Sequence, residues 1–286
     1  MSLKKEFDKL AALCACFARE PRLSLRLIAQ LPRILEGHAF AGSCVPAPGT
    51  QGIAASPKPA NPLETFFNAR RAGRGIDKWM HYFDIYHRHL AKFVGREVSL
   101  LEIGVYSGGS LEMWRHYFGE HCRIFGVDLQ EACKAYENAY TRIFIGDQAD
   151  RAFWRGFVRD VPQVDVLIDD GGHRVEQQIA TLESMLPHIR PGGVYLCEDI
   201  HGIHNGFAAY LHGFAKPLNA IRHGAPGAVI PSPLQRWIGS VHLYPYVAVV
   251  ERSDAPVDSL DSVKHGTEWA PFNPGSTSRA PGAAAN

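Results

Sequence analysis

Apolar positions change their period along this chain. Over residues 3–37 they recur every three or four: Phe7, Leu10, Leu13, Cys14 and Phe17 form one stripe, and Leu25, Leu27, Ile28, Leu31, Ile34 and Leu35 form a second. That spacing predicts helix, interrupted at Pro21 and carrying Pro32 inside its second part. Residues 41–63 are rich in Gly, Pro, Ala and Ser and read as a linker. From Val98 onward, short apolar runs alternate with helical patterns. Strands are predicted at 98–102, 123–128, 142–145, 165–170 and 194–198, with helices near 109–117, 151–159 and 175–188 between them. Arg190-Pro191-Gly192-Gly193 is read as a breaker closing the last helix. Two late runs, 241–244 and 247–250, read as edge strands bent at Pro245.

Strands alternating with helices of this length predict an α/β fold, a Rossmann-like, doubly wound and mostly parallel sheet with an N-terminal helical appendage. The expected organisation is a helical segment over 1–40, a linker over 41–75, the main domain over 76–253 and a disordered tail over 254–286. The appendage is read as a cap on the main domain, with a homo-oligomer contact as the alternative.

Every predicted strand but one ends in or just before an acid. Glu102, Asp128, Asp147, Asp170, Glu198 and Asp199 all fall at the strand ends where such sheets bind ligands. After Glu102 the chain enters Gly104-Val-Tyr-Ser-Gly108-Gly109-Ser110, a turn of small residues that opens a helix. It is neither G-x-G-x-x-G nor a phosphate loop ending Gly-Lys-Ser/Thr. A rim of carboxylates repels phosphate and attracts a cation. S-adenosylmethionine has no phosphate, carries a sulfonium, and fits. The turn would hold its methionyl part, Asp128 its ribose hydroxyls, and Asp147 with Gln148 its adenine amine. For Glu102 alone the plain alternative is a helix-capping or surface acid.

Asp169-Asp170-Gly171-Gly172-His173 and Glu198-Asp199 bring acids to neighbouring strand ends. Clustered carboxylates raise one another's pKa unless a cation joins them. Oxygen ligands favour Mg²⁺, with Mn²⁺ or Ca²⁺ as alternatives. His173, on the same rim, is the candidate general base for a metal-polarised hydroxyl; its plain alternative is a helix-start residue bonded to backbone. His201 and His204 follow the second acidic pair and could reach a substrate.

Composition narrows the picture further. The chain has 286 residues, 46% hydrophobic, with a net charge of +1. It has the apolar content for a sizeable core and lacks the basic excess of a nucleic-acid or membrane-surface binder. Six cysteines form no C-x-x-C, so neither zinc nor a disulfide framework is expected. Lys4, Lys5, Glu6 and Asp8 do not suit a signal peptide, and no run approaches the roughly 20 apolar residues of a membrane span. A reducing, cytoplasmic setting is expected.

Asp77-Lys78-Trp79 with Tyr82 and Tyr86, Leu101-Glu102-Ile103-Gly104, Gly108-Gly109-Ser110-Leu111, Trp114, Gly126-Val127-Asp128, Gly146-Asp147-Gln148, Ile168-Asp169-Asp170-Gly171-Gly172-His173, Arg190-Pro191-Gly192-Gly193 and Glu198-Asp199 together resemble one family. It is the class I S-adenosylmethionine-dependent, metal-dependent sugar O-methyltransferases that tailor macrolides and related natural products. The likeness runs over roughly residues 75–252. It implies Asp170, Glu198 and Asp199 as Mg²⁺ ligands, His173 as general base, Asp128 as the ribose acid, Asp147 and Gln148 near adenine, and Glu102 and Gly104 in the first cofactor motif. It also implies a sugar or polyol hydroxyl as acceptor. Residues 202–239, rich in Gly, Pro and aromatics, are read as the lid over that acceptor. The chain departs from the family in reading Gly172 where serine is frequent, in the segment Ile200–His204, and in a shorter N-terminal part. The competing readings are a cephalosporin-hydroxylase-like oxidoreductase on the same scaffold, a non-catalytic cofactor-binding module, and a catechol-type methyltransferase.

Overall fold

The computed structural model describes residues 3–44 and 60–266. The chain divides into two units, residues 1–59 and 60–286. The first contains three helices, α1 (Leu3–Arg19), α2 (Pro21–Ile28) and α3 (Leu31–Ser43). Pro21 and Pro32 each lie in the first turn of a new helix, where a missing N–H costs nothing, so both prolines start helices instead of breaking one.

The second unit begins earlier than residue 76. Residues 62–69, expected in the linker, form α4 (Pro62–Ala69), whose N-cap Asn61 accepts from the Leu63 amide and whose Leu63 is fully buried. Residues 45–59 of the linker lie outside the described residues. There follow α5 (Tyr82–Leu90), β1 (Val98–Ile103), α6 (Gly109–Phe118), β2 (Cys122–Asp128), β3 (Thr141–Ile145), α7 (Arg151–Asp160), β4 (Val164–Asp169), α8 (Val175–Met185), β5 (Ile189–Cys197), α9 (Gly206–Ala215), β6 (Ala228–Val229), α10 (Pro233–Trp237), β7 (Ile238–Tyr244), β8 (Val247–Arg252) and β9 (Leu260–Asp261).

Seven strands make one sheet in the order β3-β2-β1-β4-β5-β8-β7. β1 to β5 are parallel; the β7–β8 hairpin adds an antiparallel edge, with Tyr246 at a φ of 65° in its turn. Two expectations are corrected. Arg190–Gly193 is not a breaker but the start of β5, where the pairing with β4 shifts register between Val164 and Val166. The tail from 254 onward contains β9, which pairs with β6; residues 267–286 lie outside the described residues.

Both sheet faces are covered, which is why the central strands read as mostly apolar runs. Side-chain alternation splits them cleanly. Leu100, Ile124, Val166, Leu196 and Val249 pack with Tyr82, Phe83, Tyr86 and Trp114 of α5 and α6. Leu101, Val127, Leu167, Tyr195 and Val250 pack with Trp154, Phe157, Leu182, Met185 and Phe207 of α7, α8 and α9. The strand order reverses between β1 and β4, and the crevice beyond their carboxyl ends is where a ligand belongs.

Candidate active site

That crevice is a cavity of about 790 Å³. Its walls are the loop Gly75–Tyr82, the turn after β1, the ends of β2 and β3, the Asp170–His173 loop and the Glu198-Asp199 pair.

The turn after β1 is built by close backbone approach. A Cβ on Gly104, at φ 87°, would lie 2.0 Å from the Asp170 carbonyl oxygen. The Asp170 amide donates to Ile103 O, so the two loops are knitted together directly above the switch point. Asp128 then fastens the turn from the other side. Its Oδ2 accepts from the Val105 and Tyr106 amides at 2.9 and 3.0 Å, and its Oδ1 accepts from Gln130 N at 2.8 Å. Asp128 lines the cavity, as do Gly104, Ser110 and Gln148.

Three predicted cofactor residues sit elsewhere. Glu102 is fully buried below the cavity floor, where Ser110 Oγ and Trp114 Nε1 donate to its two oxygens at 2.8 and 2.9 Å. Glu102 shares a sheet face with Leu100, so it points into the α6 layer. Burial raises its pKa to about 7, against the pull of Lys78 and those two hydrogen bonds. Asp147 is exposed and accepts from the Ala149 amide; it is not in the wall. Gly108, at φ 71°, gives the helix its entry under the Tyr136 ring and also lies off the wall. Gln148 is a strut: its Nε2 donates to Asp169 Oδ1 and Thr181 Oγ1, and its Oε1 accepts from the Gly172 amide at 2.7 Å.

At the far end of the cavity the acids converge. His173 Nε2 lies 3.5 Å from Asp199 Oδ2 and 4.0 Å from Asp170 Oδ1. These three side chains offer ligand atoms all within 4.8 Å of one another. His173 and Asp199 adopt φ values of 54° and 56°, a left-handed backbone unusual for such residues, and Tyr106 on the opposite wall does the same at 47°. His201 Nε2 approaches Asp199 Oδ1 at 3.6 Å.

Glu198 stands apart from that trio. Its Oε1 accepts from Tyr86 OH at 2.7 Å and its Oε2 from Lys78 Nζ at 2.8 Å. Lys78 donates also to Asp170 Oδ2. The Lys78 side chain is only 3% exposed and that of Glu198 1%. Burial opposes the Lys78 charge, but Glu198, Asp170 and Glu102 outweigh it and hold the ammonium protonated well above its ordinary range. Burial likewise pushes the Glu198 and Asp170 carboxyls up, and Lys78 pulls both back. One helical turn apart on α5, Tyr82 donates to Asp199 Oδ1 at 2.7 Å while Tyr86 holds Glu198. Burial and their acidic partners keep both phenols protonated. Lys78, Tyr82 and Tyr86 recur every fourth residue; that spacing, ahead of α5, was the available signal for their shared task.

Gly171 and Gly172 are dictated by contact. A Cβ on Gly171 would meet Gln148 Oε1 at 1.9 Å, and one on Gly172 would meet Gln177 Oε1 at 2.3 Å. The expected lid takes no part in the wall: residues 202–239 contribute nothing to it, while Phe207 and Leu211 of α9 are buried in the second core layer.

Residues 101–200 match a family profile described as "Methyltransferase domain". A methyltransferase from the mycinamycin biosynthetic pathway, solved in complex with Mg, SAH and mycinamycin VI, superimposes with a TM-score of 0.54 at 25% identity, over 68% of this chain and 53% of that one. The fold is that of a class I methyltransferase. The 8-demethyl-8-alpha-L-rhamnosyl tetracenomycin-C 2'-O-methyltransferase of Streptomyces olivaceus is 31% identical over 199 residues, 62% of this chain and 52% of that protein. The mycinamicin VI 2''-O-methyltransferase of Micromonospora griseorubida is 32% identical over 202 residues, 61% and 49% respectively. The chain spans about half the length of these curated relatives. The resemblance read from its motifs is therefore met by the methyltransferase profile and by sugar O-methyltransferase relatives. Among the described residues, no helix is long and apolar enough to cross a membrane.

Proposed function

We propose that this chain is an S-adenosylmethionine-dependent, divalent-metal-dependent O-methyltransferase acting on a hydroxyl of a sugar or a glycosylated natural product. The observation that carries this reading is the cavity's polarity along its length: a backbone turn pinned by Asp128 at one end, and Asp170, His173 and Asp199 converging at the other. The relatives' sugar acceptors and the Mg and SAH of the mycinamycin-pathway structure favour it.

The donor set fits a hard divalent ion. Asp170 and Asp199 would hold it, with His173 at the same edge. Glu198, engaged by Lys78 and Tyr86, would join only if Lys78 gave up one contact. Such an ion lowers the pKa of an acceptor hydroxyl bound to it. His173 Nε2 would receive the acceptor's proton, and Asp199, itself oriented by Tyr82, would steady the resulting imidazolium. The turn at 104–110 would align the donor's methyl with the acceptor oxygen, and that positioning supplies much of the rate. Asp128 keeps lone pairs for ribose hydroxyls beyond the amides it already binds.

Calorimetry with S-adenosylmethionine, with and without Mg²⁺, joined to methyl transfer onto rhamnosyl and deoxysugar acceptors, tests this. His173→Ala is expected to bind the donor normally and to lose at least about 100-fold in turnover. Full turnover in that variant after metal removal would defeat the mechanism.

A further inference from the structure

A second group of ligand-type side chains lies outside the cavity, where α5 crosses the β7–β8 hairpin. His89 of α5, His242 of β7 and Glu251 of β8 each present one donor atom, all within 4.8 Å of one another. His89 Nδ1 is 3.1 Å from Glu251 Oε1, and His242 Nε2 is 3.7 Å from Glu251 Oε2. In a tetrahedral zinc site, with Zn–N bonds near 2.0 Å, donor atoms stand about 3.3 Å apart. The two contacts to Glu251, one to each carboxylate oxygen, lie on either side of that value. The other nitrogen of the His89 ring, Nε2, meets the Tyr244 hydroxyl at 2.9 Å. An outer partner on the second ring nitrogen is what orients a metal-binding imidazole. His89 is 3% exposed and its ring is fixed, whereas His242 and Glu251 are half-buried and reachable from solvent.

Two neighbours share the space. Ser240 Oγ is 2.8 Å from His242 Nε2 and donates to Glu251 Oε2 at 3.1 Å; Lys92 Nζ lies 3.7 Å from Glu251 Oε1. Lys92 is 43% exposed and can turn outward. Ser240 can remain beside an ion as a fourth oxygen or give way to water.

We propose that His89, His242 and Glu251 form a second metal site, selective for a zinc-type transition ion, distinct from the oxygen-rich site at Asp170 and Asp199. Two imidazoles and one carboxylate favour zinc or cobalt over magnesium. The ion's task follows from where its ligands sit. Tyr82, Tyr86 and His89 occupy one face of α5 at i, i+4 and i+7. β8, which carries Glu251, pairs with β5, whose end leads into Glu198 and Asp199. An ion at this crossing clamps the helix that bears the two tyrosines to the β7–β8 hairpin, which pairs with the strand leading into their acidic partners. It is a structural clamp, and the inference stands whether or not the proposed methyl transfer does.

The test uses the full chain, stripped with chelator and titrated with Co²⁺ and Zn²⁺ in excess Mg²⁺. One equivalent of Co²⁺ is expected to bind with the visible absorption of a tetrahedral site, and Zn²⁺ is expected to displace it and raise the melting temperature. Both effects should vanish in His242→Ala and in Glu251→Gln. Both should survive in Asp199→Asn, which disables the acidic site, and in Ser240→Ala, which breaks the hydrogen-bond network and spares the three ligands. No cobalt absorption in the parent chain, absorption that persists in His242→Ala, or absorption lost in Asp199→Asn overturns the proposal. The first outcome leaves a polar strap without an ion, and the other two move the ion elsewhere.

Discussion

Lys78 is the side chain on which the acidic end of the cavity depends before any ligand arrives. Replacing it with methionine keeps most of the stem and removes the charge. Asp170 and Glu198 then share one buried neighbourhood without their common cation. The least costly response is uptake of one proton. Against an ordinary carboxyl value of 4.5, that uptake at pH 7 spans at most about 2.5 pH units at about 1.4 kcal/mol each, an upper bound of about 3 to 4 kcal/mol, since burial already raises both carboxyls in the parent chain. Breaking a buried pair by removing one partner gives a similar figure, about 3 to 5 kcal/mol. The sign with pH is fixed. A carboxyl whose folded pKa is raised costs nothing below its unfolded value, and its penalty grows as pH climbs from there toward the folded value.

Urea unfolding of the metal-free protein and of Lys78→Met should therefore show little difference near pH 4.5. The difference should widen as pH rises to neutral, by no more than about 3 to 4 kcal/mol. Mg²⁺ should narrow the neutral-pH difference, because the ion takes over part of the missing positive charge. Equal stability at neutral pH, or a deficit that does not vary with pH, would refute the claim that this ammonium pulls the two carboxyls back towards their ionised form.

Two further substitutions probe what surrounds that cluster. Glu102, with a pKa raised to about 7, should make the protein lose stability as pH rises from 4.5 through 7; Glu102→Gln, which can still accept from Trp114 and donate to Ser110, should flatten that part of the stability profile, and an unchanged slope would count against it. Gly172→Ser restores the residue frequent in the resembled family but drives a Cβ to 2.3 Å from Gln177 Oε1; it should cost about 1 to 3 kcal/mol, most of it recovered in Gly172→Ser with Gln177→Ala, as read by thermal unfolding.

The sheet was legible because its central strands are buried on both faces and are mostly apolar, so Val98–Ile103 and Val164–Asp169 stand out in any reading of the chain despite Ser99, Glu102, Asp165 and Asp169. Helix ends were harder at proline, which begins a helix as readily as it ends one; α2, α3 and α4 all have it in their first turn. The rim acids were legible as a set but not one by one. A strand-end acid looks the same in sequence whether its side chain faces the ligand or the layer beneath. Glu102 shows the second case, since Ser110 and Trp114 receive it below the floor.

The charge balance at the acidic end was the part that needed three dimensions. From sequence, three clustered carboxylates call for a divalent ion to neutralise them. In the structure one cation is already built in: Lys78, on the loop four residues ahead of Tyr82, reaches Asp170 and Glu198 together. Lys78 contacts only two of the three acidic side chains, and Asp199 is left to Tyr82 and His173. Glu198 belongs to the lysine, and the edge formed by Asp170, His173 and Asp199 faces the cavity where an acceptor would lie. A metal held there sits beside the proposed base, whereas one held chiefly by Glu198 would have to displace a lysine that is 3% exposed.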